Sequence, residues 1–230
     1  MKRSRRYLDL LQKVDREQEY PLLEGIQLLK QVANARFDES VELSVNLGVE
    51  PKYADQMVRG TVILPHGTGK VVRVLVLAQC EKVKEALDAG ADYAGLEEYI
   101  EKIQGGWLDF DVVIATPDVM RHIGKLGRVL GPHGLMPNPK TGTVTQDITQ
   151  AVEDSKSGKI SFRVDKYGII HVGVGKISFE EDKIVENVKT MIATLVKLRP
   201  QSAKGLYLRK ITLTSTQGPG IKIEKQTALA

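Results

Sequence analysis

RGTVILPHGTGKVVRVLVLA, residues 59–78, decides how the chain is divided, because the texture of its apolar residues changes part-way along. Up to Leu64 apolar and polar residues alternate, the period of a strand with one face buried and the other in water. From Val71 the apolar residues run almost unbroken, as in a strand covered on both faces, and such strands belong to parallel sheets flanked by helices. HGTGK (66–70) stands between the two textures, and its glycines suit a crossing from one folded body into another.

Upstream of this crossing, residues 5–16 and 21–34 carry apolar positions near helical spacing: Tyr7, Leu8, Leu11 and Val14, then Leu22, Ile26, Leu29 and Val32. Pro21 suits the first turn of the second helix. SVELSVNLGV (40–49) then alternates, with Val41, Leu43 and Val45 directed to a core and Ser40, Glu42 and Ser44 to the other face. Downstream come a helix (81–89), a short segment ending at Gly95, a helix (96–104), the strand DVVIA (111–115), a helix from Pro117, the strand TVT (143–145) and a helix (147–156). This β-α alternation predicts a small, mostly parallel, Rossmann-like sheet.

SGK (157–159) marks the return crossing. Alternating strands resume in KISFRV and GIIHVGV around the turn-compatible DKYG, and a long helix (179–198) precedes the strands YLRKITLT and GIKI. The fold class expected is α/β. A discontinuous α+β domain of split β-α-β type, residues 1–66 and 158–230, carries an inserted Rossmann-like domain at 67–157, with a hinge at the two crossings. GKLGRVLGPHGLMPNPKTGTV (124–144) holds five glycines and three prolines, so neither helix nor strand is expected to run through it. Leu126, Val129, Leu130, Leu135 and Met136 give that loop apolar contacts of its own.

With 42% hydrophobic residues in 230, the chain has enough apolar material for buried cores. Its longest apolar runs fall well short of the ~20 residues of a membrane-spanning helix. KRSRRYLDLLQKVDREQEY (2–20) lacks the apolar centre of a secretory signal. The lone Cys80 has no partner for an internal disulfide; it reads as a small apolar filler after a buried strand and suits a reducing compartment. Net charge is +4, unevenly spread: residues 67–157 hold 10 Lys/Arg against 13 Asp/Glu, and the remainder 23 against 16. Lys2, Arg3, Arg5 and Arg6 open the chain.

Enzymatic motifs fail on spacing. Gly67, Thr68, Gly69 and Lys70 lead into Val71, without the glycine spacing or the Ser/Thr of a phosphate loop, and AQCEKVKEA follows the buried strand where a dinucleotide site needs glycines. His66, His122, His133 and His171 are scattered and the cysteine is single, so no metal set is expected. No nucleophile elbow is present, and the acidic pairs Glu97/Glu98 and Glu180/Glu181 sit on predicted helices as solvated faces. No cofactor and no enzymatic activity are expected. The rival, an enzyme holding a nucleotide or sugar phosphate in the middle domain, requires the glycine loop this sequence lacks; a protein-interaction module requires an exposed apolar face.

RNA recognition combines cations for phosphates, planar groups for sugars and bases, and polar atoms for the 2′-OH. Both ends of the chain offer these. Arg36 supplies a bidentate fork and Phe37 a ring beside it; Ser40 and Glu42 lie on the polar face of their strand, where the carboxylate can accept from a 2′-OH or a guanine amino group. Thr214, Ser215, Thr216 and Gln217 present hydroxyls and an amide next to the bare backbone of Gly218 and to Pro219. Lys166 and His171 lie in the adjoining hairpin.

LGPHGLMPNPKTGTV (130–144) resembles the signature of the bacterial large ribosomal subunit protein one family. RFDESVELSVNLGV (36–49), QMVRGTVILPHGTGK (56–70), DFDVVIATPDVM (109–120), GKISFRVDKYGIIHVGVGK (158–176) and STQGPGIKI (215–223) resemble it in the same order. The resemblance implies RNA contacts at Arg36, Phe37, Ser40, Glu42, Ser215, Thr216, Gln217, Gly218 and Pro219, with Lys166 and His171 beside them. It implies a ribosomal protein, monomeric when free, that binds the large-subunit rRNA of the mobile stalk beside the tRNA exit site. It further implies help in releasing deacylated tRNA there and repression of its own operon through an mRNA site shaped like the rRNA site. Bacterial cytosol is favoured over a plastid because no transit-like segment precedes the first helix. Three positions depart from the family: it often has lysine at Arg36, methionine at Gln217, and arginine or lysine at His133.

Overall fold

The computed structural model describes residues 4–79 and 81–229. Cys80, read above as a filler, and Lys2 and Arg3 lie outside them. In chain order the elements are α1 (Arg5–Leu11), α2 (Leu22–Val32), β1 (Ser40–Leu47), β2 (Arg59–Ile63), β3 (Val74–Leu77), α3 (Glu81–Asp88), β4 (Tyr93–Gly95), α4 (Glu97–Gln104), β5 (Val112–Ala115), α5 (Met120–Ile123), α6 (Gly127–Leu130), α7 (Ile148–Lys156), β6 (Lys159–Arg163), β7 (Ile169–Lys176), α8 (Glu181–Lys197), β8 (Leu208–Ser215), β9 (Ile221–Ile223) and α9 (Lys225–Leu229). The chain is a mixed α/β protein that separates into two compact units, one formed by Met1–Gly69 with Ile160–Ala230 and the other by Lys70–Lys159.

In the first unit an antiparallel sheet runs in the order β7-β1-β8-β9. β1 is central, with Leu43 opposite Val172 on one side and Leu213 on the other. Val41, Leu43, Val45 and Leu47 are buried in one core with Ile26 and Leu29 of α2 and Ile184, Val188 and Met191 of α8. Burying each such side chain is worth roughly 1.5–3 kcal/mol, so a one-residue slip that exchanged them for Ser40, Glu42, Ser44 and Asn46 is prohibited. The opposite face of β1 and β7 leaves Glu42, His171 and Gly173 exposed. β2 pairs with β6 in a separate two-stranded ladder.

Asn187 of α8 is fully buried and fastens the end of the outgoing segment. Its Oδ1 accepts from the His66 N–H at 3.1 Å, and its Nδ2 donates to the carbonyls of Gly67 at 2.9 Å and Val174 at 2.8 Å. Gly67 and Gly69 adopt φ of +62° and +71°, a region costly to residues with a Cβ.

In the second unit three parallel strands lie in the order β4-β3-β5. Every residue of β3 is buried, and successive side chains go to opposite sides. Leu75 and Leu77 join Val113, Ile123, Leu126 and Leu130, whereas Val74 and Val76 join Ala86 of α3 and Ile148 and Val152 of α7. The strand is shorter than its apolar run: Val71 is 88% exposed, and Arg73 is held by Asp109 and Asp111. TVT (143–145) contributes a single bridge, Val144 to Ala115, in place of a strand.

The largest departure from expectation is the segment 124–144. Its first third is helical, since a 3-10 turn over Gly124–Leu126 joins α5 to α6. Gly124, Gly127 and Gly131 all take ordinary right-handed values, φ −52°, −56° and −59°. Glycine permits a left-handed backbone without demanding it, and here the apolar spacing decides: Ile123, Leu126 and Leu130 fall on one helical face and are fully buried. Only Gly134 and Gly142 of this loop have positive φ. The first expected helix is also shorter than predicted and stops at Leu11.

Candidate nucleic-acid interface

β1 and β8 run antiparallel with Val41 opposite Ser215, so the segments preceding β1 and following β8 emerge at the same end of the sheet. Residues 36–42 and 214–218, expected from sequence to share a role, are thereby brought together. The Ser40 N–H donates to Thr216 Oγ1 at 2.9 Å. Lys176 Nζ donates to Ser40 Oγ at 3.0 Å from the other flanking strand.

The two segments are also tied by Glu39, only 2% exposed. Its carboxylate accepts from the backbone N–H of Ala35 and from that of Gln217, each at 2.9 Å. Burial pushes its pKa up, but the two backbone donors, the nearby Ser215 hydroxyl and the charge of Arg6 outweigh that and hold it below the usual glutamate value. Ser215 Oγ lies within electrostatic reach of the carboxylate without closing a hydrogen bond. The sequence alone does not single out Glu39, because a carboxylate beside a strand end reads as solvated until the strand register is known.

Around this frame the exposed side chains differ in what they can do. Phe37 is 52% exposed and Arg36 is exposed, so the ring stands free of the core. Thr216 and Gln217 are exposed at the turn, while Ser215 and Pro219 are buried and form its floor. A Cβ on Gly218 would approach Ser215 Oγ to 2.4 Å, so a larger residue there requires the buried Ser215 hydroxyl to turn away. Arg6 of α1 reaches over the turn: Nη2 donates to Gln217 Oε1 at 2.7 Å and to the Gln217 carbonyl at 3.3 Å, and Nη1 donates to Asn34 Oδ1 at 2.9 Å.

His171 and Lys166 are placed differently. His171 stands opposite Ser44 in the sheet, its Nδ1 3.0 Å from Ser44 Oγ. Asn46, six residues beyond Ser40, pairs with Ile169; at about 3.3 Å per residue the Lys166 turn is roughly 20 Å along the strand from the Thr216 end. Lys166 therefore does not join the cluster. Its Nζ lies 5.1 Å from the ring centroid of Tyr167, a residue 71% exposed. The polar face of β1, Glu42, Ser44 and Asn46, with Thr212 and Thr214 facing Ser44 and Glu42 from β8, spans the interval.

The second unit has a cavity of about 350 Å³ at the carboxyl ends of β3 and β5, lined by Gln79, Glu81, Lys82, Thr116, Asp118 and Val119. Two carboxylates, one amine and no glycine loop make a poor phosphate cradle. No group of three or more potential metal-ligating side chains occurs among the described residues.

The profile of the ribosomal protein L1p/L10e family matches residues 29–219. The chain belongs to that family. The match contains both halves of the cluster, residues 36–42 and 214–219, and it begins after α1, leaving Arg6 outside. Members are RNA-binding proteins of the large ribosomal subunit rather than enzymes, and this chain is accordingly a large-subunit ribosomal protein that binds rRNA.

Proposed function

We propose that the unit containing both chain ends is the RNA-binding domain, and that it grips the rRNA of the mobile stalk beside the tRNA exit site through the cluster at the end of the sheet. The middle unit is then an inserted Rossmann-like domain. The observation that carries this reading is the Ser40–Thr216 bond at 2.9 Å, which joins two polar segments 176 residues apart into one surface. Arg36 meets phosphate, Phe37 packs on a ribose or base, and Ser40, Glu42, Thr216 and Gln217 address hydroxyls and base edges. Gly218 admits the RNA to the backbone, with Ser215 and Pro219 shaping the turn from beneath. Lys166 and His171 extend the footprint along the sheet.

By the family resemblance, the bound protein assists release of deacylated tRNA, and an mRNA of its own operon that mimics the rRNA site is a second ligand. The protein acts as a monomer in the bacterial cytosol until it joins the ribosome, and it uses no cofactor.

Glu42→Gln tests the reading, because it removes a negative charge from the proposed contact surface. A surface acting by charge alone binds every RNA more tightly after that change. A surface in which Glu42 accepts from a 2′-OH or guanine amino group loses about 1–3 kcal/mol of preference for large-subunit rRNA over tRNA, measured by competition gel shift. Uniformly tighter binding with unchanged preference removes Glu42 from the site.

A further inference from the structure

We infer that Arg6, outside the family match, is a positioning residue for the RNA-contact turn, holding it in binding shape through Gln217 rather than touching RNA phosphate itself. This rests on the RNA-binding reading above. The guanidinium is a rigid fork whose donors lie in one plane, suited to bridging two acceptors at fixed separation. One prong takes Asn34 Oδ1 at 2.9 Å and the other takes Gln217 Oε1 at 2.7 Å, acceptors that lie 28 and 211 residues away in sequence.

Beneath the fork, Glu39 bonds the N–H groups of Ala35 and Gln217, the residue next to Asn34 and the same turn residue. Arg6 and Glu39 thus cross-tie residues 34–35 to residue 217 twice, once over the surface and once under it. Phe37 and Thr216 project from the two segments so fixed. Segments already in place give up less conformational freedom on binding than segments that must be ordered by the ligand. Arg6 also donates a third bond, to the Gln217 carbonyl at 3.3 Å, so both of its terminal nitrogens are engaged within the protein.

Methionine at position 217 would keep the main-chain carbonyl but offer Arg6 no side-chain acceptor comparable to Gln217 Oε1. An amide and a guanidinium thus order the turn together.

The test measures binding of full-length protein to large-subunit rRNA, competed with tRNA, for Arg6→Lys, Arg6→Gln, Gln217→Met and the Arg6→Gln/Gln217→Met double variant. Lysine keeps the charge but cannot span both acceptors. Positioning predicts that Arg6→Lys and Arg6→Gln each weaken rRNA binding by about tenfold, with the salt slope of log K unchanged. It predicts further that Arg6→Gln costs less than about twofold once Gln217 is methionine. A direct phosphate contact gives the contrary pattern: Arg6→Lys binds like the wild type, and Arg6→Gln makes the slope shallower by about 0.7–0.9. A fall in melting temperature with unchanged affinity also overturns the inference. If wild-type protein itself fails to prefer rRNA, the RNA-binding reading fails, and amide exchange at Gln217 then decides the Arg6 claim. Faster exchange in Arg6→Gln supports it, and an unchanged rate refutes it.

Discussion

Glu39 is charged in a buried place because the chain brings two backbone donors to it, one from each segment of the proposed interface. Its depressed pKa fixes the sign of a pH effect. A carboxyl whose folded pKa lies below its unfolded one contributes stability that is fully present above the unfolded value, and this is lost as pH falls through the folded value. The contribution is therefore complete at neutral pH and declines below the ordinary glutamate value of 4.5. Glu39→Gln keeps one acceptor and loses the charge, so it is expected to cost about 1–3 kcal/mol at pH 7 and to flatten the fall in stability below pH 4.5. Urea midpoints of both proteins at pH 7 and pH 4 check this; parallel pH dependences would mean that Glu39 is not the responsible group. Residue-scale legibility was uneven for the same physical reason. The outward Ser40, Glu42 and Ser44 were readable because alternation on a half-buried strand leaves no choice of face. Glu39 was not, since one of its two donors, the Gln217 N–H, lies 178 residues away and is delivered by the β1–β8 register.

Elements were most legible where one periodicity acted without competition. β1, α8, the buried run of β3 and the helix from Pro117 that contains α5 were legible, whereas the continuation into α6 was hidden by the glycines between its apolar positions. Ile123, Leu126 and Leu130 carried the contrary signal, and burial of that stripe outweighed the roughly 1 kcal/mol per glycine that helix formation loses. Asn187 also left a readable trace, a polar residue among Ile184, Val188 and Met191 on the buried face of α8. Its three hydrogen bonds to main-chain groups explain why it is tolerated there. Asn187→Leu leaves the His66 N–H and the carbonyls of Gly67 and Val174 without that partner, and is expected to destabilise its unit by about 2–4 kcal/mol. The measurement has a built-in control. The single tryptophan, Trp107, lies in the other unit within a cluster of Tyr93, Tyr99 and Phe110. Far-UV circular dichroism should show an earlier transition in Asn187→Leu while Trp107 fluorescence keeps its wild-type midpoint. An equal shift in both signals would mean that the two units unfold as one.

At the scale of the molecule, charge is divided as the folded units are. Residues 70–159 hold 11 Lys/Arg against 13 Asp/Glu, and the rest of the chain 22 against 16, so the positive excess lies in the unit with the proposed RNA surface. The acidic unit nevertheless exposes three cations one helical turn apart, Arg121, Lys125 and Arg128, on the run through α5 and α6. A net count therefore does not decide where RNA is held. Salt dependence does, because each phosphate contact adds about 0.7–0.9 to the slope of log K against log[salt]. If Arg36 and Lys166 make such contacts, Arg36→Gln and Lys166→Gln should each make the slope shallower by that amount. The triple change of Arg121, Lys125 and Arg128 to glutamine, in an otherwise intact chain, should leave both slope and rRNA preference unchanged. The opposite pattern would move the phosphate contacts to the middle unit. Were neither set to alter the slope, the proposed surface would hold RNA through hydroxyls, amides and Phe37 alone, and Arg36 and Lys166 would leave the site.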